Sequence, residues 1–336
     1  MIEIIAEIGV NHDGSMEKAR RMVRVAKDCG ADYAKFQTFK ADLLAAEDAP
    51  TAVYQQAHHA GGQRSMLARY ELSAEQFREL FAYCRETGIR FLSSPFDLES
   101  LAFLIDLGLE TIKVGSGELT NLPLLEKLGA AHRRVILSTG MATLGEVELA
   151  VATLREAGCR DLVLLHCVTE YPAPIAQVNL RAMVTLARAF GLPIGYSDHT
   201  PGIAVAAAAV ALGATVIEKH LTLDRTASGP DHAASSDPAE LAALVTAIRQ
   251  VESSLGDGVK HPAPCEVPNI RVARKSLVAG RDLAAGSVLA AGDLAVKRPG
   301  DGIAPLHAPH VIGMRLARGV KRDQVLRWED FKHEPA

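Results

Sequence analysis

Two histidines are the residues of this chain best suited to hold a metal ion. His199 and His220 each end an apolar segment, and residues 201–212 between them form a small-residue stretch closed by Gly213. A strand–helix–strand unit has parallel strands whose carboxyl ends share one edge, so the two imidazoles are expected to meet there beside Asp198. This arrangement predicts a divalent metal site with open positions, and two unrelated hydrogen-bonded histidines are the competing interpretation.

Polar residues that can bind an anion stand at the ends of other apolar segments. Lys35 follows Tyr33-Ala34, where an inward lysine without a partner would be a buried charge, and Lys113 precedes a Gly-Ser-Gly turn. Lysines, hydroxyls and open backbone amides suit a phosphate or carboxylate, and carboxylates beside histidines suit a metal and a proton acceptor. The segment ends supply Glu7, Asn11, His12, Lys35, Gln37, Ser93, Ser94, Lys113, Ser116, Glu118, Ser138, His166, Thr169, Tyr171, Ser197 and Asp198.

Several residues also have a purely structural interpretation. Glu118 is placed where it could cap the following helix, and His166 is better explained as a hydrogen-bonded core histidine. Glu218 and Lys219 alternate along one predicted strand, so at most one of them points inward, and the outward one is expected to pair with a helix. Asp231 either faces the site or makes a turn.

Eight apolar segments alternate with segments of helical spacing. Eight such repeats within about 255 residues match a (β/α)₈ barrel. An open doubly wound sheet is the alternative, although the first turn, residues 7–14, lacks a GxGxxG phosphate loop. The predicted strands are 2–7, 33–37, 89–93, 111–114, 134–138, 162–167, 193–197 and 215–220.

The rest of the chain divides into a long connection and a small second domain. Residues 40–73 show no clean period, which predicts either a lid over the barrel mouth or a mobile insertion. Residues 259–272 are polar and proline-rich, so we predict a linker between a barrel domain of 1–258 and a domain of 273–336. Short strands and glycine turns predict a small β-rich domain that presents side chains. Among these is Arg298, for which residue chemistry alone favours a solvated surface arginine.

Composition narrows the class of protein. The chain has 336 residues, is 48% hydrophobic and carries a net charge of −4, so nothing favours binding to nucleic acid or an acidic membrane surface. Its five cysteines form no CxxC pair and predict reduced thiols in a cytoplasmic protein. The first residues do not have the pattern of a signal peptide, and the longest apolar stretch, 203–212, is too short to span a bilayer.

Together these segments resemble the sialic acid synthase family, the phosphoenolpyruvate-dependent synthases of nonulosonic acids. The resemblance covers essentially the whole chain, with the motifs in order. The barrel segments that carry it are 6–12, 35–38, 93–96, 113–118, 137–141, 166–174, 196–200, 218–220 and 229–231. Residues 274–278 and 296–300 resemble the family's C-terminal antifreeze-protein-like (SAF) domain.

The resemblance implies an α/β fold, a (β/α)₈ TIM barrel with a small C-terminal β-rich SAF domain, in a homodimer where that domain reaches the partner's barrel. It implies Mn²⁺, or alternatively Mg²⁺ or Co²⁺, at His199 and His220. Where the family often has threonine and asparagine, this chain has Ser94 and Thr169, which keep a hydrogen-bond donor. The implied phosphoenolpyruvate residues are Lys35, Ser94, Lys113, Ser116, Ser138, Thr169 and Ser197. The implied sugar residues are Gln37, Glu118, Tyr171, Asp231 and, from the partner chain, Arg298.

The implied reaction condenses phosphoenolpyruvate with N-acetylmannosamine to give N-acetylneuraminate and phosphate. The metal would polarise the aldehyde of the open-chain sugar, C3 of phosphoenolpyruvate would attack it, and water would add at C2 before phosphate leaves with C–O cleavage. We expect Glu118 to contact the sugar, Glu7 to lie near the metal and water, and one of them to manage the proton. Lys35 and Lys113 would neutralise phosphate and carboxylate, and Asp198 would orient His199.

Three alternatives remain at this level. A legionaminic acid synthase would use 2,4-diacetamido-2,4,6-trideoxymannose, and residues 96–100 and 117–123 suit that branch. A carbohydrate-binding or ice-binding protein would use the small domain and keep an inactive barrel, but the two lysines, two histidines and Glu118 argue against a dead site. A metal-dependent pyruvate aldolase would not require both lysines.

Overall fold

The computed structural model of the protein describes residues 1–50 and 62–332. Eight parallel strands form one sheet in the order β3-β2-β1-β8-β7-β6-β5-β4, and β3 and β4 at its two ends lie in contact, so the sheet closes into a barrel. The predicted TIM barrel is thereby confirmed. The strands are β1 (Glu3–Gly9), β2 (Tyr33–Thr38), β3 (Arg90–Pro95), β4 (Thr111–Val114), β5 (Arg134–Ser138), β6 (Leu162–Cys167), β7 (Ile194–Asp198) and β8 (Val216–His220).

Helices connect the strands and cover the outside of the barrel. Their ends follow local sequence signals: Ser73 and Gln76 form a reciprocal capping box, and Gly88, with φ of +74°, ends the same helix. The helices are α1 (Met16–Asp28), α2 (Ala41–Leu44), α3 (Gln63–Leu67), α4 (Ala74–Thr87), α5 (Leu98–Asp106), α6 (Leu122–Ala130), α7 (Leu144–Glu156), α8 (Arg181–Phe190), α9 (Ala204–Ala211) and α10 (Pro238–Ser254).

Apolar side chains form two layers. The outer core lies between the strands and the helices, where Ile4, Met22 and Leu80 are fully buried. A second cluster fills the inside of the barrel and closes it at that level. Its members are Ile5, Tyr33, Leu92, Ile136, Val163, Leu165 and Val216, and we call this cluster the barrel floor.

The long connection after β2 contains α2 and α3, where the sequence predicted no regular structure. Met66 of α3 packs with Val10, Phe39 and Tyr70 in a small apolar cluster. Residues 51–61 of the predicted lid lie outside the described residues. Within residues 1–50 and 62–332, the helices are all too short or too polar to cross a bilayer.

The chain divides into two units, and the second begins at Asp257. The second unit contains α11 (Val267–Ala273), inside the predicted linker, and an antiparallel pair of strands, β9 (Ser276–Ala279) and β10 (Leu294–Lys297). A short helix, α12 (Ala308–Val311), follows. This unit has its own apolar core, which includes Leu277, Leu289, Leu316, Leu326 and Phe331. It is the small β-rich domain that the sequence predicts.

Candidate active site

A layer of polar side chains lies directly above the barrel floor. Side chains two residues apart on a strand point to the same side, so Glu7 follows Ile5 into the barrel and Lys35 follows Tyr33. Pairing in register then sets Glu7 beside Lys35 on one neighbouring strand and beside His220 on the other. The same two-residue step from the floor adds Ser94, Ser138, Cys167 and Glu218 to this layer.

Two lysines and two carboxylates form a buried network in this layer. Lys35 Nζ lies 2.9 Å from Glu7 Oε1 and 3.5 Å from Glu218 Oε2. Lys113 Nζ lies 3.5 Å from Glu218 Oε1, which also accepts a hydrogen bond of 2.9 Å from Ser197. All four charged groups are almost completely buried, so each depends on the others for its charge.

The network shifts the pKa values of its members in different directions. Burial alone would raise the pKa of Glu218, but Lys113 and Lys35 lower it to about 2. Burial would lower the pKa of Lys35, and the charges of Glu218 and Glu7 reverse this and raise it. Burial lowers the pKa of Lys113 and raises that of Glu7. Glu218 is therefore the fixed anion around which the lysines keep their protons.

Several buried polar atoms of this layer have no hydrogen-bond partner in the described part of the chain. They are Glu7 Oε2, Ser138 Oγ, Thr169 Oγ1, Glu218 Oε2 and His220 Nδ1. Buried polar atoms are normally paired, so this concentration in one place indicates a ligand site. The atoms surround a cavity of about 330 Å³ at the carboxyl ends of the strands.

Residues of several loops complete the cavity wall. Gln37, Tyr171 and Asp231 contribute polar groups, and Val10 and Met66 contribute apolar ones. Other residues of the wall are Gln63, Leu67, Tyr70, Phe96, Gly115, Met141 and Pro230.

A larger groove, of about 880 Å³, lies at the opposite end of the barrel. Its Arg90 and Arg134 are paired with Glu3, at 3.1 and 2.5 Å. Among the described residues, none that lines this groove has a buried polar atom without a partner. Chemistry is therefore assigned to the carboxyl ends of the strands, where active sites of TIM barrels lie.

The two histidines meet at the cavity, as predicted, with ring centroids 5.4 Å apart. His199 Nδ1 lies 2.7 Å from the carbonyl oxygen of Val168, a group that only accepts, so Nδ1 carries the proton and Nε2 offers its lone pair. His220 Nδ1 is buried without a hydrogen-bond partner and lies 3.8 Å from Asp231 Oδ2. Burial lowers the pKa of both histidines, so both are neutral, the form that ligates metals.

These observations fit a divalent ion held by His199 and His220. A neutral imidazole oriented through its second nitrogen is the usual form of a metal-binding histidine. No group of three histidine, cysteine or acidic side chains is arranged as a closed metal site within residues 1–50 and 62–332. Two imidazoles alone would leave positions open for substrate or water.

The structure corrects two predictions about neighbouring residues. Asp198 does not orient His199, because the carbonyl of Val168 does so; Asp198 instead accepts from Lys219 Nζ at 2.8 Å. Lys219 is the outward residue of β8, but it pairs with β7 and not with a helix. The cause is the parallel register, which sets Asp198 opposite Lys219 on the outer side of the sheet.

Most of the predicted site residues come together at the cavity, but Glu118 does not line it. Arg298 stays a prediction, because it is expected to act on the cavity of a partner chain. Glu118 is buried and accepts a hydrogen bond of 2.7 Å from Asn121, the residue that caps α6. Burial raises the pKa of Glu118. Arg298 is an exposed residue of the second unit and donates from Nε to the carbonyl of Ala273 at 3.1 Å. The predicted residues that do line the cavity are Glu7, Lys35, Gln37, Ser94, Lys113, Ser116, Ser138, Thr169, Tyr171, Ser197, His199, His220 and Asp231.

His166 is a hydrogen-bonded histidine, since its Nε2 lies 2.8 Å from the carbonyl of Val178. Sequence reasoning missed the central position of Glu218 and the presence of Cys167 and Met66 in the cavity wall. The two-residue step from Val216 was a signal for Glu218. The predicted lid over the barrel mouth includes α3, which supplies Gln63, Met66 and Leu67 to the cavity wall, but no pattern in the sequence singled out these side chains.

Comparison with known proteins finds matches over both units of the chain. Residues 22–260 match the NeuB family, and residues 274–332 match the SAF domain. The chain is 47% identical to the N,N'-diacetyllegionaminic acid synthase of Campylobacter jejuni, over 96% of this chain and 98% of that one. It is 45% identical to the synthase of the same name from Legionella pneumophila, over 98% and 94%.

A second group of relatives carries a different name. The human N-acetylneuraminate-9-phosphate synthase is 42% identical over 82% of this chain and 77% of its own length. The solved N-acetylneuraminic acid synthetase of Leptospira borgpetersenii superposes with a TM-score of 0.73, at 36% identity, over 80% of this chain and 90% of that one.

Barrel, cavity and relatives define a transferase of the nonulosonic acid synthase class, and the prediction of a phosphoenolpyruvate-dependent synthase is confirmed at that level. The chain belongs to the NeuB family and carries the family's SAF domain at its carboxyl end.

Proposed function

We propose that this enzyme condenses phosphoenolpyruvate with an open-chain N-acylated amino sugar to give a nonulosonic acid and phosphate. The observation that carries the proposal is the pair of buried lysines beside unpartnered hydroxyls of Ser138 and Thr169 in one cavity. A phosphate and a carboxylate on a small molecule would supply acceptors to all four groups. Ser94, Ser116 and Ser197 stand in the same wall and complete the phosphoenolpyruvate site of the proposal.

The sugar would occupy the outer part of the cavity. Gln37, Tyr171 and Asp231 offer it hydrogen bonds, and Asp231 has its pKa raised to about 7 by burial and by the charge of Glu7. The proposal keeps Glu118 as a support of this region and Arg298 of a partner copy as a contact to the acyl group. It also includes the homodimer that this contact requires, and a cytoplasmic location, which the five free cysteines favour.

His199 and His220 would hold Mn²⁺, with Mg²⁺ and Co²⁺ as alternatives. A divalent ion supplies Lewis-acid polarisation of a carbonyl oxygen when it is bound. The neutral state and the fixed orientation of His199 are the contributions of the protein to this site.

The residues of the chain account for the movement of charge. C3 of phosphoenolpyruvate forms a bond to the aldehyde carbon as the aldehyde C=O π bond breaks, and the aldehyde oxygen gains a proton to become a hydroxyl. A water oxygen adds to C2, the C2–O bond to phosphate breaks, and the two protons of that water balance those gained by the new hydroxyl and the phosphate. Glu7, whose pKa burial raises, lies in the cavity wall with Oε2 unpartnered and is the group to take the proton from water. Lys35 and Lys113 stabilise the departing phosphate, and the barrel floor excludes bulk water from below.

We propose a 2,4-diacetamido-2,4,6-trideoxymannose as the sugar, which would make the product a legionaminic acid. The two relatives with identities of 47% and 45% are named for this product. Val10, Met66 and Leu67 make part of the cavity wall apolar, which suits a 6-methyl group. N-acetylmannosamine, the first choice from sequence, remains the second candidate, because the human and Leptospira relatives carry the corresponding names.

Phosphate release from phosphoenolpyruvate with Mn²⁺ tests the proposal, comparing the two sugars with no-sugar and chelator controls. A preference for the diacetamido sugar of more than about tenfold in kcat/KM, or about 1.4 kcal/mol, would support the proposal. The opposite preference would make N-acetylmannosamine the substrate. Release with neither sugar would contradict the proposal and favour a carbohydrate-binding protein with an inactive barrel.

A further inference from the structure

The segment that carries Asp231 follows β8 and has little regular structure. The turn His232–Ala234 lies between Asp231 and the start of α10, and a parallel bridge between Leu221 and Ser236 holds the end of the segment against β8. Asp231 is buried in the cavity wall, close to His220. Side-chain bonds to neighbouring elements hold the part of the segment next to Asp231.

His232 makes the principal bonds of this kind. The side chain is completely buried, with Nδ1 at 2.7 Å from Thr222 Oγ1 and Nε2 at 3.1 Å from Asp13 Oδ1. Thr222 follows β8, and Asp13 belongs to the loop after β1. We call the chain of Asp13, His232 and Thr222 the loop clamp, because it joins the loops after two neighbouring strands.

The clamp fixes which nitrogen of the ring carries the proton. A carboxylate only accepts hydrogen bonds, so the ring donates from Nε2 to Asp13. Burial lowers the pKa of His232 although Asp13 opposes this, so the ring is neutral and Nδ1 is an acceptor. Thr222 Oγ1 lies 2.7 Å from Nδ1 and 3.0 Å from the carbonyl oxygen of Asp224, so its one hydroxyl proton is shared between these two acceptors. Both ring nitrogens thus have a partner, which holds the ring in place between the two loops.

A second set of bonds ties the same segment to the loop after β1. Ser235 Oγ donates to the carbonyl of Asp231 at 2.6 Å, and Asn11 Nδ2 donates to Ser235 Oγ at 2.9 Å. Packing adds to this constraint, because a Cβ atom on Gly229 would lie only 2.7 Å from His232 Cδ2. The backbone at Gly229 therefore lies so close to the imidazole ring that a larger residue would not fit there without displacing the ring.

We propose that His232 is a positioning residue that sets the place of Asp231 in the cavity and thereby the affinity for the sugar. The proposal rests on the proposed function, in which Asp231 binds the sugar. His232 does not line the cavity, so it acts through the segment that it holds. Displacement of a binding group by about 1 Å is enough to lower activity by up to about 100-fold.

The test is steady-state kinetics of His232→Ala with each substrate varied in turn. We expect KM for the sugar to rise by about 10- to 100-fold while KM for phosphoenolpyruvate stays within about twofold of wild type. His232→Gln should recover much of this loss, because a glutamine Nε2 can still donate to Asp13. A rise of both KM values by the same factor, or no change, would overturn the proposal.

Asp13→Ala provides a second route if His232→Ala does not fold, since the Asp13 side chain is partly exposed. It should reproduce the sugar-specific effect, and the double variant of Asp13 and His232 should be no worse than either single variant. Lys18→Ala is the matched control, because Lys18 pairs with Asp13 from the solvent side and should leave both KM values unchanged. Additive effects in the double variant would contradict the clamp.

Asp231→Asn separates this proposal from the proposed function. If Asp231→Asn leaves KM for the sugar unchanged, the sugar site itself has been misplaced. If Asp231→Asn raises that KM and His232→Ala does not, the sugar site stands and the loop clamp is wrong.

Discussion

At the scale of single residues, Glu218 explains how two lysines can be buried in a cavity before any substrate arrives. An isolated ammonium group inside a protein would lose its proton, because burial disfavours charge. The carboxylate of Glu218 lies 3.5 Å from the ammonium group of each lysine. Its negative charge is the largest effect that raises the pKa of both lysines against burial. The two lysines are therefore able to bind an anionic ligand at neutral pH before any substrate is present.

Glu218→Gln should make the affinity for phosphoenolpyruvate depend on pH. Burial already lowers the pKa of Lys113, and loss of the carboxylate removes the main opposing effect, so Lys113 will deprotonate at a lower pH than in wild type. We expect KM for phosphoenolpyruvate to rise by about tenfold between about pH 7 and about pH 9 in the variant, and far less in wild type. Glu126→Gln, an exposed change on α6, is the control. Parallel pH profiles of Glu218→Gln and wild type would contradict this role.

His220→Ala should abolish turnover and the retention of metal together. Removal of a direct ligand should exceed the loss of about 10- to 100-fold in metal affinity that is typical of an outer partner. Metal content after dialysis against a weak chelator, measured beside activity, checks this. His307→Ala changes a histidine of the second unit and should affect neither quantity. Full activity of the metal-stripped His220 variant would exclude the metal role.

At the scale of elements, the turn after β5 shows how closely the walls of the phosphoenolpyruvate site are packed. Gly140 lies where β5 gives way to the loop before α7. A Cβ atom there would lie 2.4 Å from Thr169 Oγ1, 2.8 Å from Ser116 Oγ and 2.9 Å from Cys167 Sγ. Two of these three residues belong to the proposed phosphoenolpyruvate site. Glycine is therefore needed at position 140 to leave room for the side chains around it, and not because the backbone conformation requires a glycine.

Gly140→Ala should raise KM for phosphoenolpyruvate by about tenfold or more and destabilise the fold by about 1–3 kcal/mol, the usual cost of overpacking. Kinetics and urea unfolding check the two effects. Gly145→Ala on α7 is the matched control, since no atom lies within 4 Å of the added Cβ and alanine favours the helix. An unchanged KM in Gly140→Ala would show that Thr169 and Ser116 are not essential.

The eight barrel strands were predictable from sequence, whereas α2, α3 and α11 were not, and the side of the sheet on which each strand residue lies was predictable only in part. Alternation of apolar segments with helical spacing was enough for the eight strands, and a lysine after Tyr33-Ala34 was recognisable as inward. Glu218 remained ambiguous, because which face of β8 points inward depends on the closure of the sheet. Similarly, no pattern in the sequence shows that Asp198 meets Lys219 across two strands, since that contact depends on register.

Glu118 is bonded to Asn121 at the start of α6, as its structural interpretation from sequence allowed. Distance along the chain set another limit. Met66 belongs to the connection of residues 40–73, where no period was visible, and its contact with Val10 joins two loops far apart in sequence. Such contacts depend on three-dimensional packing that a periodic pattern does not encode.

At the scale of the whole molecule, a single chain lacks one residue of the proposed sugar site if Arg298 of a partner copy contacts the sugar. Arg298 belongs to the second unit and is exposed. Its Nε donates a hydrogen bond to Ala273, and the rest of its guanidinium group is available to contact a partner chain. If each copy of the chain supplies Arg298 to the cavity of its partner, each of the two cavities would need residues from both chains. The oligomer would then be a condition for sugar binding.

Arg298→Ala should raise KM for the sugar by about tenfold and leave KM for phosphoenolpyruvate unchanged, the loss expected for a charged hydrogen bond. Arg315→Ala, another exposed arginine of the second unit, is the control. Mixing and refolding Arg298→Ala with Asp231→Ala provides a sharper test, because one hybrid site would have both residues intact. Recovery of activity in the mixture is expected, and no recovery would contradict a contribution from the partner chain.

The barrel floor has a consequence for the order of events in a catalytic cycle. Seven apolar side chains close the barrel below the lysines, so molecules reach them only from the mouth. The groups proposed for phosphoenolpyruvate lie largely at the strand ends, whereas Asp231 and Tyr171 belong to loops beyond those ends. A bound sugar would therefore stand in the path of phosphoenolpyruvate. We therefore expect ordered binding: phosphoenolpyruvate, the deeper substrate, would enter first, and the sugar-derived product would leave before the next phosphoenolpyruvate binds.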